Sequence, residues 1–140
     1  MSPFSRRVPV RGFIGDLEDV AEDNVDYRRV LYTGAFLQLV VMSLAPGEQI
    51  GMEVHPDTDQ FFHIEDGEGL VEIDGVRTPI KGDDAVLAPA GARHNIVNTG
   101  NEPLKLYTLY GPSHHRDGVV HRTREQAMAD VEAFDGATTE

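Results

Sequence analysis

Short runs of β-favouring residues recur from about residue 29 to residue 110, and turn residues separate each run from the next. Pro46-Gly47 and Asp74-Gly75 are turn signals of this kind, and Asp-Gly favours the type I′ turn of a two-residue hairpin. Strands at such short intervals are typical of a sandwich or a closed barrel. The sequence therefore predicts an all-β fold with strands at 29–33, 36–44, 52–55, 60–65, 70–73, 76–80, 85–88, 93–97 and 104–110.

The length and the lack of cysteine limit what the chain can contain. Its 140 residues suit one domain with a single hydrophobic core. Because the chain has no cysteine, disulfide bonds, thiolate metal sites and a cysteine nucleophile are excluded. Any metal ion must then be held by histidine, carboxylate or amide oxygen.

The charge and the apolar pattern limit the possible partners. A formal net charge of −12 makes nucleic acids and anionic membranes poor partners. The apolar run from Leu39 to Leu44 is interrupted by Ser43 and is far too short to cross a bilayer. Arg6-Arg7 resembles the start of an export signal, but no apolar stretch follows it. We therefore expect a cytoplasmic protein whose partner is a small molecule.

The two ends of the chain lie outside the strand series. Residues 1–28 are polar and irregular, and we expect an N-terminal arm with a helical turn at 16–23. Residues 29–112 then form the barrel, and residues 113–140 form a C-terminal extension. Within that extension, a capping threonine and a partial apolar stripe predict a helix at 123–134. We expect the arm and an exposed sheet edge to form a homodimer, because unpaired edges are a liability.

Four polar side chains can converge in the middle of the strand series. Glu53 and His55 are two residues apart on one predicted strand, so their side chains point to the same face. A tight hairpin follows, Gln60 opens the return strand, and His94 lies on a later strand. Two imidazoles, one carboxylate and one amide oxygen can together hold a single divalent ion. The pattern therefore predicts a mononuclear metal site.

The segments that carry these residues resemble the paired motifs of the cupin superfamily. In the first motif, glycine is followed after five residues by His-x-His, and then by glutamate and a second glycine. Residues 47–67 keep the spacing and both glycines, but Glu53 replaces the first histidine and Gln60 replaces the glutamate. The second motif ends Pro-x-Gly-x-x-His-x-x-x-Asn, and residues 89–98 match this part completely. The resemblance extends over roughly residues 36–112.

The resemblance implies a jelly-roll barrel of about six to eight strands with a metal ion inside one mouth. Carried over residue by residue, the ligands would be Glu53, His55, Gln60 and His94. The two departures are reciprocal, since a carboxylate is lost at position 60 and gained at position 53. The ligand set therefore keeps one negative charge. Such ligands admit Mn, Fe, Ni, Co or Zn and disfavour a soft ion such as Cu(I).

Three functions are compatible with such a site. The first is a metal-dependent enzyme on a small polar molecule, because two histidines and one carboxylate support Fe(II) and oxygen chemistry. The second is a sugar isomerase or epimerase, since the four residues resemble the zinc ligands of cupin-type phosphomannose isomerases. Lys81 and Arg93, the nearest basic residues, form no phosphate cradle, which weakens the sugar-phosphate version. The third is a non-catalytic barrel that binds a small ligand.

Several other side chains receive simpler interpretations. His63 lies three residues after Gln60, so we expect it to face the opposite side of the strand. His114, His115 and His121 follow the last predicted barrel strand. We expect solvated loop histidines there, with a lid over the barrel mouth as the alternative. We assign core or pocket-lining positions to Phe36, Leu44, Phe62, Ile64 and Leu106.

Overall fold

The computed structural model describes residues 9–140, so Arg6-Arg7 lies outside the described residues. Antiparallel strands dominate this part of the chain, and two short helices flank them. The helices are α1 (Leu17–Asp23) and α2 (Arg124–Ala129). The strands are β1 (Arg28–Thr33), β2 (Gln38–Leu44), β3 (Glu53–Val54), β4 (Asp59–Asp66), β5 (Glu68–Ile73), β6 (Val76–Lys81), β7 (Ala85–Ala88), β8 (Arg93–Asn98), β9 (Leu104–Gly111) and β10 (Val120–His121).

The strands form two sheets that share one core. The larger sheet has six strands in the order β10-β1-β2-β9-β4-β7, and the smaller has four in the order β3-β8-β5-β6. Many neighbouring strands are distant in sequence, as expected for a jelly roll. The predicted all-β fold class is confirmed, although strand pairing does not join the two sheets into one closed ring.

The Asp74-Gly75 hairpin forms where the sequence predicts it. Both residues have positive φ angles, 46° for Asp74 and 84° for Gly75, as a type I′ turn requires. Ile73 consequently pairs directly with Val76, which fixes the register of β5 and β6. This register helps to hold β5 beside β8, the strand that carries His94.

The inward face of the larger sheet has an apolar part and a polar part. Gln38, Tyr110 and Gln60 lie side by side on β2, β9 and β4, and all three are buried. This polar row marks one end of the barrel, which we call the mouth. The rest of the interior is mainly apolar and includes Val40, Met42, Ile64, Val71, Ile96, Leu104 and Leu106.

The helical turn predicted near the N-terminus is confirmed as α1. Asp16 caps it, because the Asp16 carboxylate accepts a hydrogen bond from the Asp19 N–H at 3.2 Å. Glu18 and Asp19 lie in the first turn, where their negative charges interact favourably with the partial positive charge of the helix N-terminus. The helix buries Ala21 and packs on β2, β4 and β9.

The predicted C-terminal helix is shorter than expected. Thr123 caps it as predicted, by accepting a hydrogen bond from the Gln126 N–H at 3.1 Å. The helix ends at Ala129, however, and Asp130 adopts an extended conformation. Val131, expected on its apolar stripe, is fully exposed. The prediction of a helix over 123–134 is therefore wrong in its second half, where the chain turns back to the barrel instead.

Residues 113–140, which we call the strap, run across the barrel mouth. The Gln38 side chain binds the backbone of His114 and His115. Farther along, the Thr139 N–H donates to the carbonyl of Thr33 at 2.9 Å. The Glu132 carboxylate accepts hydrogen bonds from the His115 ring and from the backbone of Arg116. The strap is thus fastened to the barrel near both of its ends, and Glu132 links its later part to its first residues.

Phe36 does not occupy the core position expected from the sequence. Its side chain is 83% exposed, because β2 begins two residues later, at Gln38. Leu44, Phe62, Ile64 and Leu106 are buried as expected. Among residues 9–140, no helix has the length and apolar character that crossing a membrane requires.

We expect Glu132→Gln to loosen the strap. Burial alone would raise the pKa of Glu132, but hydrogen bonds from His115 and the Arg116 N–H lower it to about 2. At pH 7 the substitution should reduce the free energy of unfolding by about 1.5–3 kcal/mol, the usual loss for a hydrogen bond to a charged group. Urea unfolding measures this difference.

The same substitution should also change the response to acid. Between the ordinary pKa of 4.5 and the folded pKa of about 2, the unfolded chain binds a proton that the folded chain does not. Stability from Glu132 is therefore complete above pH 4.5 and is lost as the pH falls through this window. The difference between parent and Glu132→Gln should shrink at pH 3.5. Glu125→Gln, on the exposed side of α2, is the control, and an unchanged difference at low pH would contradict the assignment.

Candidate metal centre

The four predicted ligands meet at the barrel mouth and come from both sheets. Glu53 in β3 pairs directly opposite His94 in β8. His55 lies immediately after β3, and Gln60 is the second residue of β4. The Gly91 N–H donates to the carbonyl of His55 at 2.8 Å, which ties the two motif loops together. The structure therefore brings together all four residues that the sequence singled out.

The ligand atoms of these residues lie close to one another. Glu53 Oε2 is 3.2 Å from His55 Nε2 and 4.0 Å from His94 Nε2. Gln60 Oε1 is 3.0 Å from His94 Nε2. Glu53, His55 and His94 each offer one ligand atom within 4.8 Å of the other two.

These separations fit the ligands of a single ion. Atoms held at about 2.1 Å from one ion lie about 3.0 Å apart when adjacent, and about 4.2 Å apart when opposite, in an octahedral arrangement. The two short distances, 3.0 and 3.2 Å, match adjacent ligands, and 4.0 Å approaches the value for opposite ones. The donor set also has the composition that first-row divalent ions accept.

Hydrogen bonds orient His94 and Gln60 toward this position. His94 Nδ1 is 3.1 Å from the carbonyl of Ala92, so Nδ1 carries the proton and donates it there. Nε2 is thereby directed toward Gln60 and Glu53. The Gln60 amide nitrogen donates to Thr108 Oγ1 at 3.0 Å, which directs Oε1 at His94. The two hydrogen bonds therefore turn one metal-binding atom of each residue, His94 Nε2 and Gln60 Oε1, toward the interior of the mouth.

The Glu53 side chain is more exposed to solvent than those of His55 and His94. Burial alone would raise its pKa, but the hydrogen bond with His55 and the positive charge of Arg28 hold the pKa below its ordinary value. The carboxylate is therefore ionised at neutral pH. Its side chain is 28% exposed, against 4% for His94, so solvent reaches the centre past Glu53.

The strap supplies a wall beside the centre. The His114 ring lies 4.4 Å from the His55 ring and stacks on Tyr110 at 5.3 Å. Burial, together with the charges of His115 and His55, lowers the pKa of His114 to about 4. Its imidazole is therefore neutral at pH 7 and offers a polar but uncharged surface to a ligand.

His63 lies on the opposite face of β4, as the sequence predicts. Its Nδ1 is 2.8 Å from Glu65 Oε1, and its ring stacks on Tyr107 at 5.2 Å. It therefore takes no part in the centre.

The expectation that the strap histidines are solvated is wrong. His115 and His121 are buried, because each ring meets an acidic residue from later in the strap. His115 Nδ1 contacts Glu132, and His121 Nε2 lies 3.0 Å from Asp130 Oδ2. No spacing rule links residues that meet through an irregular chain, so the sequence does not point to Glu132, Asp130, Tyr110 or Arg28.

A family model described as a cupin domain matches residues 40–110, half of the chain. The chain belongs to the cupin family.

Known proteins of several organisms resemble the chain. The crystal structure of BH2720 from Bacillus halodurans is 44% identical, with a TM-score of 0.84, and the match covers 86% of this chain and 96% of that one. YrkC of Bacillus subtilis is 41% identical over 123 residues, which are 84% of this chain and 66% of YrkC. A Thermotoga maritima protein named oxalate-binding protein is 36% identical over 68 residues, which are 49% of this chain and 56% of that protein.

Proposed function

We propose that this cupin holds one divalent metal ion through Glu53, His55 and His94, with Gln60 as a fourth ligand, and acts as an enzyme on a small polar molecule. The observation that carries the proposal is the convergence of two imidazoles and one carboxylate within 4.8 Å. This is the ligand set of non-haem Fe(II) oxygenases, so oxygenase-like chemistry is our first candidate. The cytoplasmic location and the homodimer stay predictions.

The protein residues divide the work of such a site. A bound divalent ion would supply a Lewis acid with open positions for an oxygen-bearing ligand. Ala92 fixes the orientation of His94, and Thr108 fixes that of Gln60. Tyr110 and His114 line the side next to His55 and limit the entry of water. A small molecule then enters past Glu53, because the Glu53 side chain is more exposed than those of His55 and His94.

Gln60 favours a sugar isomerase or epimerase as the second candidate. Its amide oxygen points at His94 Nε2, so the set of Gln, His, Glu and His is complete in space. Lys81 and Arg93 are both exposed, however, and form no phosphate cradle inside the barrel. A non-catalytic binding role is supported by the name of the Thermotoga relative, which describes a protein that binds oxalate.

Metal content is the first test of the proposal. After reconstitution with Fe(II), Mn(II) or Zn(II) and gel filtration, the parent should carry one equivalent by plasma mass spectrometry, and His94→Ala should carry none. His63→Ala, on the other face of β4, is the matched control and should keep the metal. Binding should weaken below about pH 6, because imidazole must be deprotonated to bind. A parent without metal, or a His94→Ala variant with a full equivalent, would falsify the centre.

Gln60→Glu should bind the ion more tightly than the parent. A carboxylate adds charge attraction that an amide oxygen lacks, and about tenfold tighter binding is a reasonable expectation. Without metal, the variant should melt at a lower temperature than the parent, because Gln60 is buried and an unpaired buried carboxylate is costly. Gln126→Glu adds the same charge on α2 as a control. Equal metal affinity in the variant and the parent would show that position 60 is not a ligand.

Oxygen uptake separates the candidate functions. We expect the Fe(II)-loaded parent to consume oxygen when a panel of small polar molecules is supplied, and His94→Ala to consume none above background. An oxygen electrode measures the rate. Interconversion of sugars without oxygen uptake would favour the second candidate instead, and tight binding without turnover would favour the non-catalytic role.

A further inference from the structure

Arg28 is a cation buried inside the barrel. It lies on β1 and is 5% exposed, whereas its neighbour Arg29 is exposed. Arg28 pairs with Met42, which pairs in turn with Leu106, and both of these side chains are fully buried. The alternation along β1 therefore directs Arg28 inward, among apolar side chains.

The guanidinium group of Arg28 has few hydrogen-bond partners in the described part of the protein. Nη1 lies 3.4 Å from His121 Nδ1, which is a long hydrogen bond. Nε is buried and has no hydrogen-bond partner among residues 9–140. The Tyr27 ring, 5.3 Å from the guanidinium carbon, adds only a cation–π contact. A buried guanidinium normally has a carboxylate partner, since an unpaired buried charge is costly.

His121 does not supply the missing negative charge. Its Nε2 is 3.0 Å from Asp130 Oδ2, so the ring donates its proton to that carboxylate. Nδ1 then carries a lone pair and accepts from Arg28. The strap therefore positions the guanidinium through a neutral imidazole and leaves its charge uncompensated at that contact.

The charge of Arg28 acts on the groups of the barrel mouth. Met42, which pairs with Arg28, and Gln38, which pairs with Tyr110, are four residues apart on β2, so Arg28 faces the same interior as the polar row of the mouth. The Glu132 carboxylate is occupied by the His115 ring and the Arg116 N–H. A divalent ion on Glu53 would leave the mouth positively charged, and an anion would then balance both cations.

We propose that Arg28 binds the carboxylate of a small organic acid whose other end reaches the Glu53, His55 and His94 centre. The inference rests on the proposed function for the second contact, and it names the substrate class as organic acids. Guanidinium suits this role because its planar N–H groups match the two oxygens of a carboxylate. The unpaired Nε is the group that such a ligand would satisfy.

A purely structural role predicts a different response to substitution. If Arg28 serves the fold, Arg28→Met should lower the melting temperature strongly. If Arg28 serves binding, the melting temperature of Arg28→Met should be equal to that of the parent or higher. Replacing a buried charge by a long apolar side chain is often neutral or stabilising. Arg28→Lys keeps the charge but loses the planar fork, and Arg29→Met is the matched control on the same strand.

Calorimetric titration with oxalate, malonate and succinate tests the inference, with malonamide as the uncharged counterpart of malonate. We expect the metal-loaded parent to bind at least one of these diacids and to show no binding of malonamide. Arg28→Met should bind that diacid at least tenfold more weakly, and Arg28→Lys should be intermediate. Arg29→Met should match the parent. The melting temperature of Arg28→Met should equal or exceed that of the parent.

Three results would overturn the assignment: no diacid binding by the metal-loaded parent, equal binding by parent and Arg28→Met, or a large loss of stability in Arg28→Met without loss of binding. The metal content of each variant is measured in parallel. Arg28→Met should retain the full metal content of the parent, so loss of diacid binding there is independent of the centre. Weak diacid binding to metal-free His94→Ala that still depends on Arg28 would support the Arg28 contact even if the metal centre fails.

Discussion

The buried amide of Gln38 makes four hydrogen bonds, one with Thr33 and three with the backbone of His114 and His115. Beside it on the sheet, the Tyr110 hydroxyl lies 3.1 Å from His115 Nε2, and Gln60 faces His94. Buried polar groups are costly unless they are paired, so this row needs partners from outside the sheet. The strap supplies them on one side and the candidate centre supplies them on the other. Closing the mouth and arranging the ligands are therefore parts of one hydrogen-bonded system.

The sequence predicted those features that depend on local spacing. Strand alternation places Glu53 and His55 on one face and turns His63 away from Gln60, and the motif spacing adds His94. The sequence did not predict the roles of Glu132 and Arg28, because each of these residues meets its partner, His115 or His121, only in the folded chain. Arg28 and His121 are 93 residues apart, and nothing in either segment indicates the other. The predicted helix over 123–134 is wrong for a related reason, since Asp130 and Glu132 bind His121 and Arg116 from an earlier part of the strap instead of continuing the helix.

With a divalent ion at the candidate centre, the charge inside the mouth would be opposite to the charge of the whole molecule. The chain has a formal net charge of −12, which would repel an anionic ligand at long range. Salt screens that repulsion within about 8 Å at physiological ionic strength, whereas a buried guanidinium acts at short range in a medium of low polarity. Selectivity for an organic acid would then arise at the mouth itself rather than through attraction to the surface. The neutral imidazole of His114 beside the centre adds no opposing charge.

The division of the ligands between the sheets has a mechanical consequence. Glu53 and His94 belong to the four-stranded sheet, whereas Gln60 belongs to the six-stranded sheet, and within residues 9–140 no ladder of backbone hydrogen bonds joins the two. An ion coordinated by all three would act as a cross-link across the seam. Any species that binds only the native state raises the free energy of unfolding in proportion to the logarithm of its concentration relative to its dissociation constant. The contact between the two sheets would then be most stable when the site is loaded, so the supply of the ion would set the fraction of chains that is folded.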